Sequence, residues 1–144
     1  MKNTILKFAC SFLIPMMVVF TSCKDDKDDP EPTCVGGKGG AVTFVLKPQH
    51  HGEPIPSTAA YPDSAFIKFN VSEFPGDNPA LYDLVVVGTD GAFEVNVDSM
   101  KCGKYFIFMT GFDASIAERV KGGIPVTISI ETGTKVINIP VTED

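Results

Sequence analysis

The sequence predicts an all-β protein, and more specifically a seven-stranded antiparallel β-sandwich. From residue 41 onward apolar and polar residues alternate with a period of two, in short segments that turn residues separate. The 144 residues suffice for one small domain and are too few for a large catalytic barrel or a two-domain enzyme. With 18 acidic and 12 basic residues, the net charge of −6 argues against nucleic acid as a partner.

Each predicted strand follows from its own alternation of apolar residues. Val42, Phe44 and Leu46 share one face of the first strand, because successive side chains of a strand point to opposite faces. Ile67 and Phe69 take the same role in the second strand. The predicted strands span residues 41–47, 65–71, 82–87, 92–97, 104–110, 124–131 and 134–141.

Turn residues predict how these strands connect. Asp90–Gly91 predicts a hairpin between the third and fourth strands, with Phe93 facing the core. Thr132–Gly133 predicts a last hairpin, in which the apolar residues of the two final strands oppose one another. These residues are Val126, Ile128 and Ile130 on one strand and Ile137, Ile139 and Val141 on the other. Ser115 and Glu118 have capping-box spacing, so residues 113–121 are predicted to form a loop or a short helix.

The first 22 residues predict a secretory signal peptide. Two lysines precede the apolar residues 8–20, a stretch shorter than the roughly 20 residues of a membrane-spanning helix. The segment Val19–Phe20–Thr21–Ser22–Cys23 resembles the lipobox of bacterial lipoproteins, which are cut just before a cysteine that carries the lipid. This resemblance implies a lipid anchor at Cys23. A generic signal peptide with an unmodified cysteine is the alternative.

Directly after Cys23, the residues Lys24, Asp25 and Asp26 open an acidic segment. It resembles the export signal of surface-exposed lipoproteins in the Bacteroidetes, which implies the outer membrane as the location, with the protein facing outward. A solvated acidic spacer is the alternative. Two prolines and the glycines of residues 36–40 predict a tether that ends in a flexible hinge. The predicted organisation is a signal peptide (1–22), a lipidated tether (23–40) and a β-sandwich domain (41–144).

Two further segments widen the resemblance. Gly91–Ala92–Phe93 and residues 99–106, which contain Gly103 and Tyr105, resemble prealbumin-like (transthyretin-like) sandwich modules. In these modules a glycine permits a tight crossing between strands, and a tyrosine packs into the core. The stretches 38–40, 48–52 and 120–125 also resemble small Bacteroidetes lipoproteins of this kind, and the resemblance covers roughly residues 38–143. The resemblance implies a prealbumin-like or immunoglobulin-like sandwich and no particular activity.

Residues suited to catalysis are scarce in the sequence. The histidines are the neighbours His50 and His51, and no Gly-x-Ser-x-Gly motif occurs. A metal site could combine the two histidines with Glu53 and Asp63. Adjacent side chains of an extended strand point apart, however, which argues against joint ligation of one ion. The sequence therefore predicts a non-enzymatic protein without a cofactor or metal, and a metal-binding or hydrolytic role for the histidines is the alternative.

The remaining candidates concern modification and recognition. Cys34 and Cys102 form an even pair outside the signal peptide, either bridged or as free thiols. Asp63–Ser64–Ala65 and Asp98–Ser99–Met100 resemble the acceptor triplet of Bacteroidetes O-glycosylation, which implies sugar on Ser64 or Ser99; ordinary turn serines are the alternative. The candidates for exposed aromatic residues are Tyr61, Phe66, Phe106 and Phe112. Because tryptophan is absent, a glycan platform ranks below binding to an unidentified envelope protein or surface assembly.

Overall fold

The computed structural model describes residues 34–143, and this part of the chain is all-β, as the sequence predicts. The strands are β1 (Lys38–His50), β2 (Glu53–Pro54), β3 (Ser64–Phe69), β4 (Leu84–Val87), β5 (Val95–Met100), β6 (Gly103–Asp113), β7 (Glu118–Ile128) and β8 (Thr132–Glu143). A short 3₁₀ turn at Pro79–Leu81 precedes β4. Among residues 34–143, no helix has the length and apolar character needed to cross a membrane.

All seven predicted strands are present with shifted ends, and β2 is additional. The largest difference at the start of the domain concerns the glycines of residues 36–40. The prediction of a flexible hinge there is wrong, because Gly39 and Gly40 belong to β1. A Cβ atom on Gly40 would lie 2.1 Å from the carbonyl oxygen of Met100, so this glycine allows β1 to pack closely on β5.

The strands form one curled mixed sheet in the order β2-β1-β8-β7-β6-β3-β4, and β5 also pairs with β1. The pairs are antiparallel except for β1 and β8, which run parallel from Ala41 opposite Thr132 to His50 opposite Val141. The prediction of a purely antiparallel sheet is therefore wrong. The prediction failed because the first long strand, β1, pairs with the last strand, β8, and alternation within each strand does not encode which strands become neighbours.

Both predicted hairpins differ from the observed connections. β4 pairs with β3 whereas β5 pairs with β1, so Asp90–Gly91 does not join two neighbouring strands. Phe93 precedes β5 and is 51% exposed, which corrects its predicted core position. β7 and β8 are antiparallel neighbours connected by residues 129–131, and their paired residues are Val120 with Glu143 and Lys121 with Thr142, far from that turn. The predicted antiparallel pairing of the last two strands is therefore confirmed, but the paired residues are not the predicted apolar ones, and Thr132–Gly133 belongs to β8.

Residues 114–117 form the turn between β6 and β7, which confirms the loop over these four residues and rules out the short helix. The rest of the segment predicted as loop is strand, because residue 113 belongs to β6 and residues 118–121 belong to β7. Ser115 does not cap a helix. Its backbone N–H and its hydroxyl both donate to Asp113 Oδ1, at 2.8 and 2.6 Å. This local bonding competes with a helical turn and fixes the Asp113 carboxylate at the end of β6.

Tyr105 lies at the centre of the core and is fully buried. Its ring makes edge-to-face contacts with Phe44 and Phe69, at centroid distances of 5.2 and 5.8 Å. The Tyr105 hydroxyl donates to the carbonyl oxygen of Lys101 at 2.6 Å and accepts the Gly37 N–H at 2.9 Å. One side chain thereby joins the chain entering β1 to the strand β6.

Replacing Tyr105 by phenylalanine is expected to lower the free energy of unfolding by about 1–3 kcal/mol. The substitution keeps the ring contacts and leaves the buried Gly37 N–H without its acceptor. Urea unfolding followed by circular dichroism measures the change. Tyr61→Phe is the control, because Tyr61 is 42% exposed and its change should stay within about 0.5 kcal/mol. Equal midpoints for the two variants would contradict the role of the Tyr105 hydroxyl.

Candidate functional site

Polar groups from three strands meet at one end of the sheet. β1 ends at His50 and β8 ends at Glu143, and these strands finish side by side because they are parallel. β6 ends at Asp113 at the same place. We refer to His50, His51, Asp113 and Glu143 as the His50 cluster.

His50 is the buried centre of this cluster, with 4% of its surface exposed. Its Nδ1 atom lies 2.8 Å from Asp113 Oδ2, and because a carboxylate oxygen accepts, Nδ1 is the donor. The other ring nitrogen, Nε2, lies 3.4 Å from Glu143 Oε1 and is buried without a hydrogen-bond partner in the described part of the chain. The His50 imidazole therefore has a hydrogen bond at Nδ1 and none at Nε2 within the described residues.

The charges around His50 shift its titration. The hydrogen bond with Asp113 raises the pKa of His50 above its ordinary value, against the opposing effect of burial, and Glu143 adds to the increase. Hydrogen bonds from the Ser115 hydroxyl and from His50 lower the pKa of Asp113. Asp113 is therefore an ionised acceptor at neutral pH, suited to orienting the His50 ring.

His51 lies beside His50 rather than on the opposite face. The ring centroids are 4.1 Å apart, and His51 Nε2 lies 3.8 Å from Glu143 Oε1. The expectation that the two side chains point apart is wrong, because His51 has a φ of 51° and the alternation of the strand ends at His50. His51 remains exposed, so it borders solvent while His50 does not.

The acidic partners differ from those predicted. Glu53 pairs with His50 across β1 and β2 but has no place in the compact group of His50, His51 and Glu143, and Asp63 lies elsewhere. Sequence reasoning missed Asp113 and Glu143. Each lies at or near the end of a predicted segment, yet only the long-range pairing of β1 with β8 brings Glu143 to the histidines.

An open cavity of about 340 Å³ lies along the β6–β7 hairpin, and we call it the Tyr61 groove. Tyr61 stacks on Phe112 with ring centroids 4.7 Å apart, and the Arg119 guanidinium carbon lies 5.2 Å from the Tyr61 centroid. The residues that line the groove are Ala60, Tyr61, Pro62, Ser64, Thr110, Gly111, Arg119, Val120 and Lys121. An exposed aromatic ring, two cations and two hydroxyl groups thus share one surface.

The other aromatic candidates lie outside this groove. Phe106 is 6% exposed and packs in a small cluster with Tyr82 and Phe108. Phe66 is partly buried against that cluster. Of the four predicted exposed aromatic residues, Tyr61 is the one that is exposed and lines the groove, and Phe112 supports it by stacking.

Asp63 is fully buried between the groove and the core. Its backbone is well bonded, since its N–H donates to Ser57 Oγ at 3.0 Å and its carbonyl oxygen accepts the Gly88 N–H at 2.7 Å. Neither oxygen of the Asp63 carboxyl group has a hydrogen-bond partner within residues 34–143. Burial raises the pKa of Asp63 to about 7, so this carboxyl group is only partly ionised at neutral pH.

The residues predicted to be modified or bridged are placed as follows. Cys34 and Cys102 form a disulfide bond, with their Cα atoms 5.6 Å apart. Ser64 is half-buried at the start of β3, and its hydroxyl donates to the carbonyl oxygen of Pro62 at 3.3 Å. Ser99 is exposed in β5 with a φ of 60°. Ser99 is therefore the more accessible of the two predicted glycosylation sites.

The predicted lipidation site and export signal, Cys23 and Lys24 to Asp26, lie outside the residues that the structure describes. No protein-family model, no curated protein and no solved structure matches the chain.

Proposed function

We propose that this chain is a lipid-anchored, non-catalytic binding module of the bacterial cell surface, which serves as an accessory subunit of an envelope assembly. The observation that carries this proposal is the distance between residue 34, which follows the predicted lipid anchor, and two exposed polar sites, the Tyr61 groove and the His50 cluster. Residue 34, where the described chain begins, is bonded to Cys102 just before β6. The Tyr61 groove and the His50 cluster lie where β1 and β6 end.

The length of β1 gives the scale of this separation. From Lys38 to His50 the strand has 13 residues, and at about 3.3 Å per residue it spans roughly 40 Å. A protein anchored through residue 23 would therefore hold both polar sites away from the membrane. The disulfide bond between Cys34 and Cys102 supports an oxidising, extracytoplasmic location.

The groove has the composition of a protein-recognition site. Tyrosine and arginine dominate the binding energy of many protein interfaces, and Tyr61 and Arg119 lie together here. Tyr61 is 42% exposed although it stacks on Phe112, so part of the ring is available to a partner. A polar envelope protein is the ligand class that this surface suits.

The fold assignment belongs to the same proposal. We infer that the curled sheet is a prealbumin-like sandwich of the kind found in small Bacteroidetes surface lipoproteins. Residues 99–106, which resemble the tight strand crossing of those modules, support this inference. Tyr105 fills the core, and a Cβ atom on Gly103 would lie 2.2 Å from the Gly36 backbone nitrogen. β1, near one end of the sheet order, and β3, near the other, also contribute to one apolar core.

Replacing Cys23 by alanine is expected to remove the lipid and release the protein from the outer-membrane fraction. Replacing Asp25 and Asp26 together by asparagine should keep the lipid and leave the domain facing the periplasm. Fractionation and protease treatment of intact cells measure these two outcomes. Membrane retention of the Cys23→Ala variant would refute the anchor, and unchanged protease sensitivity of the double variant would refute the export signal.

Binding through the Tyr61 groove is tested with a photo-crosslinking phenylalanine analogue placed at residue 61 in intact cells. A crosslinked product of defined mass is expected from this position. The matched control carries the analogue at Val136, which is 53% exposed on β8 and does not line the groove. Arg119→Ala should weaken the crosslink from residue 61. Equal crosslinking from both positions, insensitive to Arg119, would contradict the assignment of the groove.

A further inference from the structure

We propose that His50, His51 and Glu143 form a site for one divalent transition-metal ion of the zinc class, and that Asp113 positions His50 for it. The inference goes beyond the proposed binding module, since it concerns a different part of the surface and a different ligand. It rests on the tautomer of His50, on its unsatisfied nitrogen and on the distances among three ligand atoms.

The contact with Asp113 decides which nitrogen of His50 is available. Asp113 Oδ2 accepts from Nδ1 at 2.8 Å, which leaves the lone pair of neutral His50 on Nε2. Metal-binding histidines almost always donate their other nitrogen to a carboxylate or carbonyl group in this way. The two hydrogen bonds from Ser115 to Asp113 Oδ1 keep that carboxylate in place.

The available nitrogen has no hydrogen-bond partner among residues 34–143. His50 Nε2 is nevertheless buried, and buried polar atoms are nearly always satisfied. It lies 3.4 Å from Glu143 Oε1 in a His50 side chain that is only 3% exposed. An ion bonded to Nε2 and Oε1 would satisfy both atoms at once.

The distances match a tetrahedral ion without a rearrangement of the strands. Zinc bonds of about 2.0–2.1 Å at tetrahedral angles place neighbouring ligand atoms roughly 3.3 Å apart. Glu143 Oε1 lies 3.4 Å from His50 Nε2 and 3.8 Å from His51 Nε2, and the three ligand atoms all lie within 4.8 Å of one another. His51 is exposed enough to close the remaining gap by rotating its side chain.

The ligand types determine the class of ion. Two imidazole nitrogens and one carboxylate favour zinc, copper or nickel over magnesium and calcium, which prefer sets of oxygen ligands. Three protein ligands leave one position of a tetrahedral ion open. Because His51 and Glu143 are both exposed, this position faces solvent and can take water or a group from a partner.

The test is calorimetric titration of the full chain with zinc chloride after treatment with a chelator, and magnesium chloride serves as the comparison ion. One equivalent of zinc should bind to the wild type, and magnesium should give no saturable heat. His51→Ala and Glu143→Gln should each weaken zinc binding at least tenfold. Asp113→Asn should weaken it by about 10- to 100-fold, the range for residues that orient a ligand.

Two features keep the result interpretable. Glu53→Gln is the matched control, because Glu53 is also an exposed glutamate opposite His50 and should leave the zinc affinity unchanged. His51 and Glu143 lie at the surface, so their variants should keep the wild-type circular dichroism spectrum. An absence of stoichiometric zinc binding would overturn the proposal, and so would affinities that His51→Ala and Glu143→Gln leave unchanged; the cluster would then be an ion pair only.

Discussion

Replacing Cys34 and Cys102 together by alanine is expected to lower the free energy of unfolding by about 4 kcal/mol. The disulfide bond closes a loop of 68 residues, and the entropy that it removes from the unfolded chain has about this value. The same bond fixes residue 34 beside the start of β6, where Gly36 and Gly103 are in close contact. Urea unfolding of the purified variant measures the loss.

Reduction of the wild-type protein provides the control for this variant. The reduced chain should unfold at the same urea concentration as the double variant, since both lack the bond. If the double variant lost less than about 1 kcal/mol, the contacts of Tyr105 with Gly37 would suffice to hold the entering chain. The loop-closure explanation would then be wrong.

A second large effect is expected from Asp63, whose burial makes stability depend on pH. The pKa of Asp63 is raised from its ordinary 3.8 to about 7 in the folded protein. Between these values the folded state holds a proton that the unfolded state has released. The contribution of Asp63 to stability therefore falls as pH rises from about 4 to about 7, by as much as about 4 kcal/mol, and then stays level.

Asp63→Asn should abolish this dependence, because the amide is neutral at every pH. The variant is expected to match the wild type near pH 4 and to exceed its stability at pH 8. Asp90→Asn is the control, since Asp90 lies in an exposed turn. Thermal unfolding at a series of pH values compares the three proteins. If the stability of the wild type rose between pH 4 and 7 as steeply as that of Asp63→Asn, the interpretation of Asp63 as a buried group without a partner would be wrong.

The sequence predicted the strands better than their arrangement, and the reason is physical. Alternation within β1 depends on residues two positions apart, so Val42, Phe44 and Leu46 were correctly placed in the core. The parallel partner of β1 is a strand about 90 residues away, and no local pattern specifies that choice. Asp90–Gly91 is a strong hairpin signal, yet the connection leads to β5 and thus to β1 instead of back to β4.

The candidate site shows the same division between local and distant information. The pair His50 and His51 is visible in the sequence, but the φ of His51 that brings the rings together is not. Glu143 and Asp113 reach the histidines only because three strands end together. Glu53 and Asp63 were the acidic residues nearest in sequence, and proximity along the chain was a poor guide.

The parallel pairing of β1 with β8 also affects how the chain folds. Ala41 pairs with Thr132, so the contacts between these strands have a very high sequence separation, and domains dominated by such contacts fold in milliseconds to seconds. During synthesis, β1 emerges long before β8. Until residues 132–143 follow, one edge of β1 has no partner and is open to pairing with other chains. The last strand therefore controls both the completion of folding and the protection of the nascent chain from aggregation.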